Sequence, residues 1–140
     1  MARQLLVPLD GSPPSTEALD YALDTFPEAH LLFVHVLTPA DSSVGADGLL
    51  TDPSGVVAEQ RDRAETLFEE AEATAGDDRT IDREVLAGRP ATEIVRYAED
   101  TDVDGIVIGS HGRDGAARLL LGSVSETVVR RSPVPVTVVR

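Results

Sequence analysis

A doubly wound α/β domain, with helices on both faces of one parallel sheet, is the fold class this sequence predicts. Three observations carry that reading. Short apolar runs without polar alternation recur along the chain, as parallel strands covered on both faces require. Segments with helical spacing separate them, giving the order β-α-β-α-β-α-β-α-β and hence five strands. Glycine and proline mark the boundaries between the two kinds of segment.

Gln4-Leu5-Leu6-Val7-Pro8-Leu9 reads as the first buried strand. Asp10-Gly11-Ser12-Pro13-Pro14 then reads as a turn feeding a helix, with Ser12 as N-cap and proline in the first turn. Ala18, Leu19, Ala22 and Leu23 give that helix its apolar stripe as far as Phe26-Pro27. Ala29 to Leu37 is apolar enough for a second strand covered on both faces. Thr38 to Gly55, rich in Gly, Pro, Ser and Asp, exceeds an ordinary connection and is expected to be a mobile loop of the kind that covers sites. A helix over Val56 to Ala75 stops at Gly76-Asp77-Asp78, and a strand runs from Thr80 to Leu86. Gly88-Arg89-Pro90 opens a helix through Tyr97-Ala98, and Val103 to Ile108 is the fourth strand. The last helix starts at Ser123, read as its N-cap, and Val134 to Val139 forms the final strand. The 140 residues contain neither a repeat nor a low-complexity tract, so residues 1–140 form a single domain with enough chain for a core.

Composition narrows the function. The chain has no cysteine, which removes disulfide frameworks and thiolate zinc sites. It also has no lysine, its 12 basic residues all being arginine, and a P-loop needs a lysine on the phosphates. The net charge of −13 argues against DNA or RNA as partner, because phosphate neutralisation dominates that affinity. An acidic, lysine-free chain suits a cytoplasm of high salt, where repulsion is screened; GC-rich coding bias is the alternative source of the arginines, though not of the acids. No leader-like segment and no run of membrane-spanning length is present, so a soluble, cytoplasmic protein without membrane partners is expected.

The C-terminal segment from Gly109 to Arg140 is the exception to the acidic charge. It holds five arginines against two acids, whereas the preceding 108 residues hold seven arginines against 23. It also contains Gly109-Ser110-His111-Gly112, then nine residues, then Gly122-Ser123 before Val124-Ser125-Glu126. Glycines let a backbone approach a ligand with its N–H groups bare, and a helix start adds unpaired donors and a positive dipole end. Phosphate is the ligand such a segment suits, with Arg113 and Arg118 available either to neutralise it or as solvated surface charges. In a doubly wound sheet the ligand crevice lies past the strand C-termini, where the winding reverses. Asp10 and Gly109 both sit just past strand ends, so neighbouring first and fourth strands would set them across one crevice.

This glycine constellation resembles the nucleotide motif of the universal stress protein family, in its ATP-binding branch. Val7-Pro8-Leu9-Asp10-Gly11-Ser12 resembles the family's first strand and acidic turn, and Leu32-Phe33-Val34-His35-Val36 its second strand. The resemblance spans the whole chain. It implies a Rossmann-like sheet in the order 3-2-1-4-5, with Mg-ATP held across the first and fourth strands, often in homodimers; the apolar Val134 to Val139 strand, expected at the sheet edge, is where two copies would pair. By that likeness Asp10, beside Pro8, holds the ribose or a metal-bound water, so Asp10 is the one indirect Mg²⁺ contact. The Val36 backbone meets the adenine edge. Gly109, Ser110, His111, Gly112 and Arg113 belong to the loop that takes ribose and phosphates together with Gly122 and Ser123, and Val124 and Ser125 add donors at the helix start. No residue is assigned a catalytic role.

Simpler readings stand beside these. Gly112 and Gly122 also suit plain turns, Asp10 also suits capping the turn before the first helix, and His30 and His35 suit satisfied strand histidines. A serine triad lacks a G-x-S-x-G elbow, catalytic zinc lacks H-E-x-x-H spacing, and dinucleotide binding lacks G-x-G-x-x-G after the first strand. A module that binds ATP and reports its occupancy to a protein partner is the first reading. Slow ATP hydrolysis is the rival, since only Asp10 offers a base, and a dimeric scaffold without nucleotide is the third.

Overall fold

The computed structural model describes residues 3–38, 56–110 and 122–140. Among them strands and helices alternate: β1 Gln4–Pro8, α1 Pro13–Thr25, β2 His30–Leu37, α2 Val56–Ala75, β3 Ile81–Ala87, α3 Pro90–Asp100, β4 Gly105–Gly109, α4 Ser123–Arg131 and β5 Val136–Val139. The strands form one parallel sheet in the order β3-β2-β1-β4-β5. The fold is therefore the expected doubly wound one, with its winding reversed between β1 and β4. The segment 39–55 lies outside the described residues, as do His111, Gly112, Arg113, Arg118 and Leu119-Leu120-Leu121.

Adjacent residues on a strand point to opposite faces, and this splits the apolar runs between two cores. On one face Leu5, Val7, Leu31, Phe33 and Val107 pack against Ala18, Leu19 and Ala22 of α1 and Ala64, Phe68 and Ala71 of α2. On the other, Leu6, Leu32, Val34, Ile106 and Ile108 pack against Ile94, Val95 and Ala98 of α3 and Val128 of α4. Burial on both faces explains why the central strands read as unbroken apolar runs. Edge strand β3 differs, carrying three consecutive exposed charges, Asp82, Arg83 and Glu84, between half-buried Ile81 and Val85, and Arg83 pairs with Glu65 and Glu72 of α2.

The helix ends follow local chemistry. Ser12 caps α1, its hydroxyl accepting from the Ser15 N–H at 3.4 Å, with Pro13 and Pro14 in the first turn. Gly76, at φ +88°, ends α2 and returns its N–H to the Glu72 carbonyl. One expectation is corrected: the N-cap of α4 is Gly122, in extended conformation, and Ser123 is the first helical residue. The strands also shift by one or two residues, β4 opening at Gly105 and β5 at Val136. Pro133 and Pro135, with no N–H to give a ladder, account for the later start of β5.

Candidate functional site

At the C-terminal end of the sheet the β1–β4 ladder is short, its register ending at Leu6↔Ile106, while β4 continues to Gly109. Past that point a crevice of about 740 Å³ opens at the switch in winding. This volume suits a small organic ligand, whose sites span about 300–1,000 Å³. Its walls are the β1–α1 turn, the end of β2, the start of α3, and the Gly109-Ser110 and Gly122 to Ser125 segments. Of the expected site residues, Pro8, Asp10, Val36, Gly109, Ser110, Gly122, Ser123, Val124 and Ser125 all line it. His111, Gly112 and Arg113 fall outside the described residues.

Of the three helix starts that border this space, those of α1 and α4 have opposite chemistry. At α1 nothing is left to donate: Pro13 and Pro14 have no N–H, the Ser15 N–H goes to the Ser12 hydroxyl, and the Thr16 N–H goes to the Ser12 carbonyl. At α4 the cap is a glycine with no side chain to fold back. Gly122 N–H donates to the Ser110 carbonyl at 2.7 Å and Glu126 N–H to the Gly122 carbonyl at 2.9 Å. The N–H groups of Ser123, Val124 and Ser125 between them have no partner among the described residues. Three donors without a partner among the described residues, at the positive end of a helix, have the chemistry that suits an anion.

The α4 start is held by a clamp. The Ser110 carbonyl, at the end of β4, accepts both the Gly122 N–H and the Ser125 hydroxyl, each at 2.7 Å. Ser125 is 2% exposed, and its single hydroxyl hydrogen serves Ser110, with the Gly122 carbonyl a second oxygen at 3.1 Å. What this residue can offer a ligand is therefore its backbone N–H. Gly109 is needed for a different reason: a Cβ there would lie 2.6 Å from the carbonyl carbon and oxygen of Pro14. A side chain at 109 would push α1 off the end of β4, so this glycine is a packing glycine whatever else it meets.

Across the crevice, Asp10 is exposed and organised by a local turn. Its Oδ1 accepts the Ser12 N–H at 2.8 Å and the Ser12 hydroxyl, and Gly11 between them sits at φ +80°, a region that favours glycine. Oδ2 has no partner among the described residues. Asp10 thus does cap the turn through one oxygen only. On the α3 side the lining is apolar, with Val34, Val36, Ile94 and Ile108 from the second core and Pro90 at the start of α3. The described lining carries one carboxylate, Asp10, and no arginine. No group of three or more His, Cys, Asp or Glu able to hold a metal occurs among the described residues.

Sequence reasoning missed Ser15, and it read His35 as a satisfied strand histidine, which holds, without placing it in the crevice wall. Ser15, 6% exposed in the first turn of α1, accepts the Asp10 N–H at 3.2 Å. His35 Nδ1 lies 2.7 Å from the Leu9 carbonyl oxygen and lines the crevice. A polar residue inside an apolar strand run was the available signal for His35. His30, by contrast, pairs with Asp82 at 2.8 Å, and neither residue lines the crevice.

The universal stress protein family model matches residues 1–140. The chain belongs to the universal stress protein family. It is 33% identical over 148 residues to universal stress protein YxiE of Bacillus subtilis, covering 100% of both chains. It is 33% identical over 141 residues to universal stress protein MJ0531 of Methanocaldococcus jannaschii, covering 99% of this chain and 82% of that one. Among solved universal stress protein folds, the MJ0577 protein of the same archaeon superposes with a TM-score of 0.83 at 28% identity, covering 99% of this chain and 96% of the other. A universal stress protein in complex with cAMP superposes with a TM-score of 0.60, also at 28% identity, covering 99% and 96%. No helix among the described residues of this universal stress protein is long and apolar enough to cross a membrane.

Proposed function

We propose that this universal stress protein binds an adenine nucleotide, ATP with Mg²⁺, in the crevice between β1 and β4. The observation that carries the reading is the uncapped start of α4, whose Ser123, Val124 and Ser125 N–H groups have no partner among the described residues and border a nucleotide-sized space. The phosphates would lie there. The base would lie against the apolar α3 side, with the Val36 backbone at its edge, and the Asp10 Oδ2 would reach the ribose or a water of the metal. A related chain of the same fold binds cAMP, which supports a nucleotide as the ligand class. Mg²⁺ fits as an ion brought by the phosphates, since it keeps several waters and needs only one or two protein carboxylates. Its chemistry there would be charge neutralisation.

Holding the nucleotide, rather than turning it over, is the role this lining favours. Phosphoryl transfer needs a base and strong cationic stabilisation, and the described lining offers one carboxylate already engaged on one oxygen. Hydrolysis well below the enzyme median of about 10 per second is the expected result of a phosphate-release assay. Steady, Mg-dependent turnover near that median, abolished by Asp10→Ala, would instead make this an ATPase.

Calorimetry with ATP tests the site. Because backbone groups do the binding, Ser123→Ala should weaken affinity by no more than about tenfold. Gly122→Val should abolish binding by placing a branched side chain at the helix start. Full affinity in Gly122→Val would remove the site from α4.

A further inference from the structure

The peptide linking Leu9 to Asp10 is held at both of its polar ends by side chains the nucleotide reading does not use. Its carbonyl faces His35 Nδ1 at 2.7 Å, and its N–H donates to the Ser15 hydroxyl at 3.2 Å. A carbonyl oxygen only accepts, so Nδ1 carries the hydrogen and the neutral imidazole is the Nδ1–H tautomer. A peptide unit is planar, and fixing both ends fixes the plane and the position of the next Cα, from which the side chain leaves. That next residue is Asp10. One residue earlier the chain is also tied to β2, the Leu9 N–H donating to the Val34 carbonyl at 2.8 Å. Both Ser15 and His35 lie in the crevice wall beside Asp10.

We infer that His35 is a positioning residue for Asp10: its Nδ1–H orients the Leu9–Asp10 peptide so that the Asp10 carboxylate meets the ribose hydroxyls of the bound nucleotide, making His35 a determinant of ribose recognition. The inference rests on the proposed nucleotide site. His35 has no ligand contact in this role and acts only through the Leu9 carbonyl. A packing role predicts a different pattern, because loss of packing weakens every ligand alike, whereas loss of Asp10 orientation weakens only ligands that carry ribose hydroxyls.

Calorimetry with ATP and 2′,3′-dideoxy-ATP on the full chain separates these outcomes. The wild type should prefer ATP, and Asp10→Ala should erase that preference. His35→Leu, which removes the donor, should cost about threefold to tenfold for ATP and leave the dideoxy nucleotide unchanged, the loss expected for one neutral hydrogen bond. His35→Asn, whose amide N–H takes the place of Nδ1–H, should restore the preference. Combining His35→Leu with Asp10→Ala should be no worse than Asp10→Ala alone. Equal losses for the two nucleotides in His35→Leu, or no loss, would overturn the inference while leaving the site intact. If His35→Leu does not fold, the Asn variant decides: a folded Asn variant without the ribose preference overturns it equally. A wild type that binds neither nucleotide overturns the nucleotide reading and this inference together.

Discussion

Gly109 and Ser125 are small for reasons that belong to packing, and those reasons shape the site. The Pro14 backbone lies where a side chain at 109 would have to be, so the glycine brings the α1 start down over the end of β4. Gly109→Ala should cost about 1–3 kcal/mol, the range for forcing extra atoms into a packed region. Thermal unfolding should fall by several degrees, and because the crevice wall moves with α1, ATP affinity should fall as well. An alanine variant as stable as the wild type would mean that α1 can shift freely there. Glycine spacing at 109 was legible in the sequence, but its cause was not, because Pro14 is ninety-five residues away along the chain. Ser125 is similar. Its place at the helix start was readable, whereas the commitment of its hydroxyl to Ser110 depends on how β4 and α4 meet.

At the scale of elements, α1 is closed at both ends by different means. Its start is sealed by Ser12 and two prolines. Its end has no basic residue of its own, and carbonyls there are met from elsewhere: the Arg79 guanidinium donates to the Leu23 carbonyl and the C-cap Phe26 carbonyl at 3.3 and 2.8 Å, and to the Ala29 carbonyl just before β2 at 3.1 Å. A cation at a helix C-terminus is favourable through both the dipole and the bonds. Arg79→Ala should therefore lower unfolding stability by about 1.5–3 kcal/mol, the range for hydrogen bonds to a charged group, and urea titration reads this directly. Arg79→Lys should recover only part, since an ammonium lacks the planar fork that spans three carbonyls. A wild-type midpoint for Arg79→Ala would show that water serves those carbonyls equally well.

The whole molecule has two unlike sheet edges. Mid-strand charges at Asp82, Arg83 and Glu84 guard β3, while β5 presents Val136, Thr137, Val138 and Val139, all half-buried. Charged edges resist pairing and apolar ones invite it. We propose a homodimer in which β5 of two copies pairs antiparallel about a twofold axis, a contact that closes at two subunits. Light scattering at micromolar protein and several salt concentrations should give a dimer for the wild type and a monomer for Val136→Asp with Val138→Asp. A wild-type monomer under all conditions would contradict this. Element order and winding were legible because unbroken apolar runs mark parallel strands, and Asp10 and Gly109 fell on one crevice because Asp10 follows β1 and Gly109 ends β4, the two switch-point strands. The roles of Ser15, His35 and Arg79 were not legible, since each acts across strands or turns on a backbone carbonyl or amide that no local pattern marks.

Amide chemical shifts during an ATP titration, read by two-dimensional NMR in the presence of Mg²⁺, test the nucleotide site most directly. The α4 donors without a partner among the described residues are the predicted phosphate contacts. The amides of Ser123, Val124 and Ser125 should therefore move most and saturate together, joined by Val36 at the base, while Ser15 and Thr16 at the closed start of α1 respond less. Largest shifts at α1 with α4 unmoved, or no saturable shift at α4 at all, would contradict it.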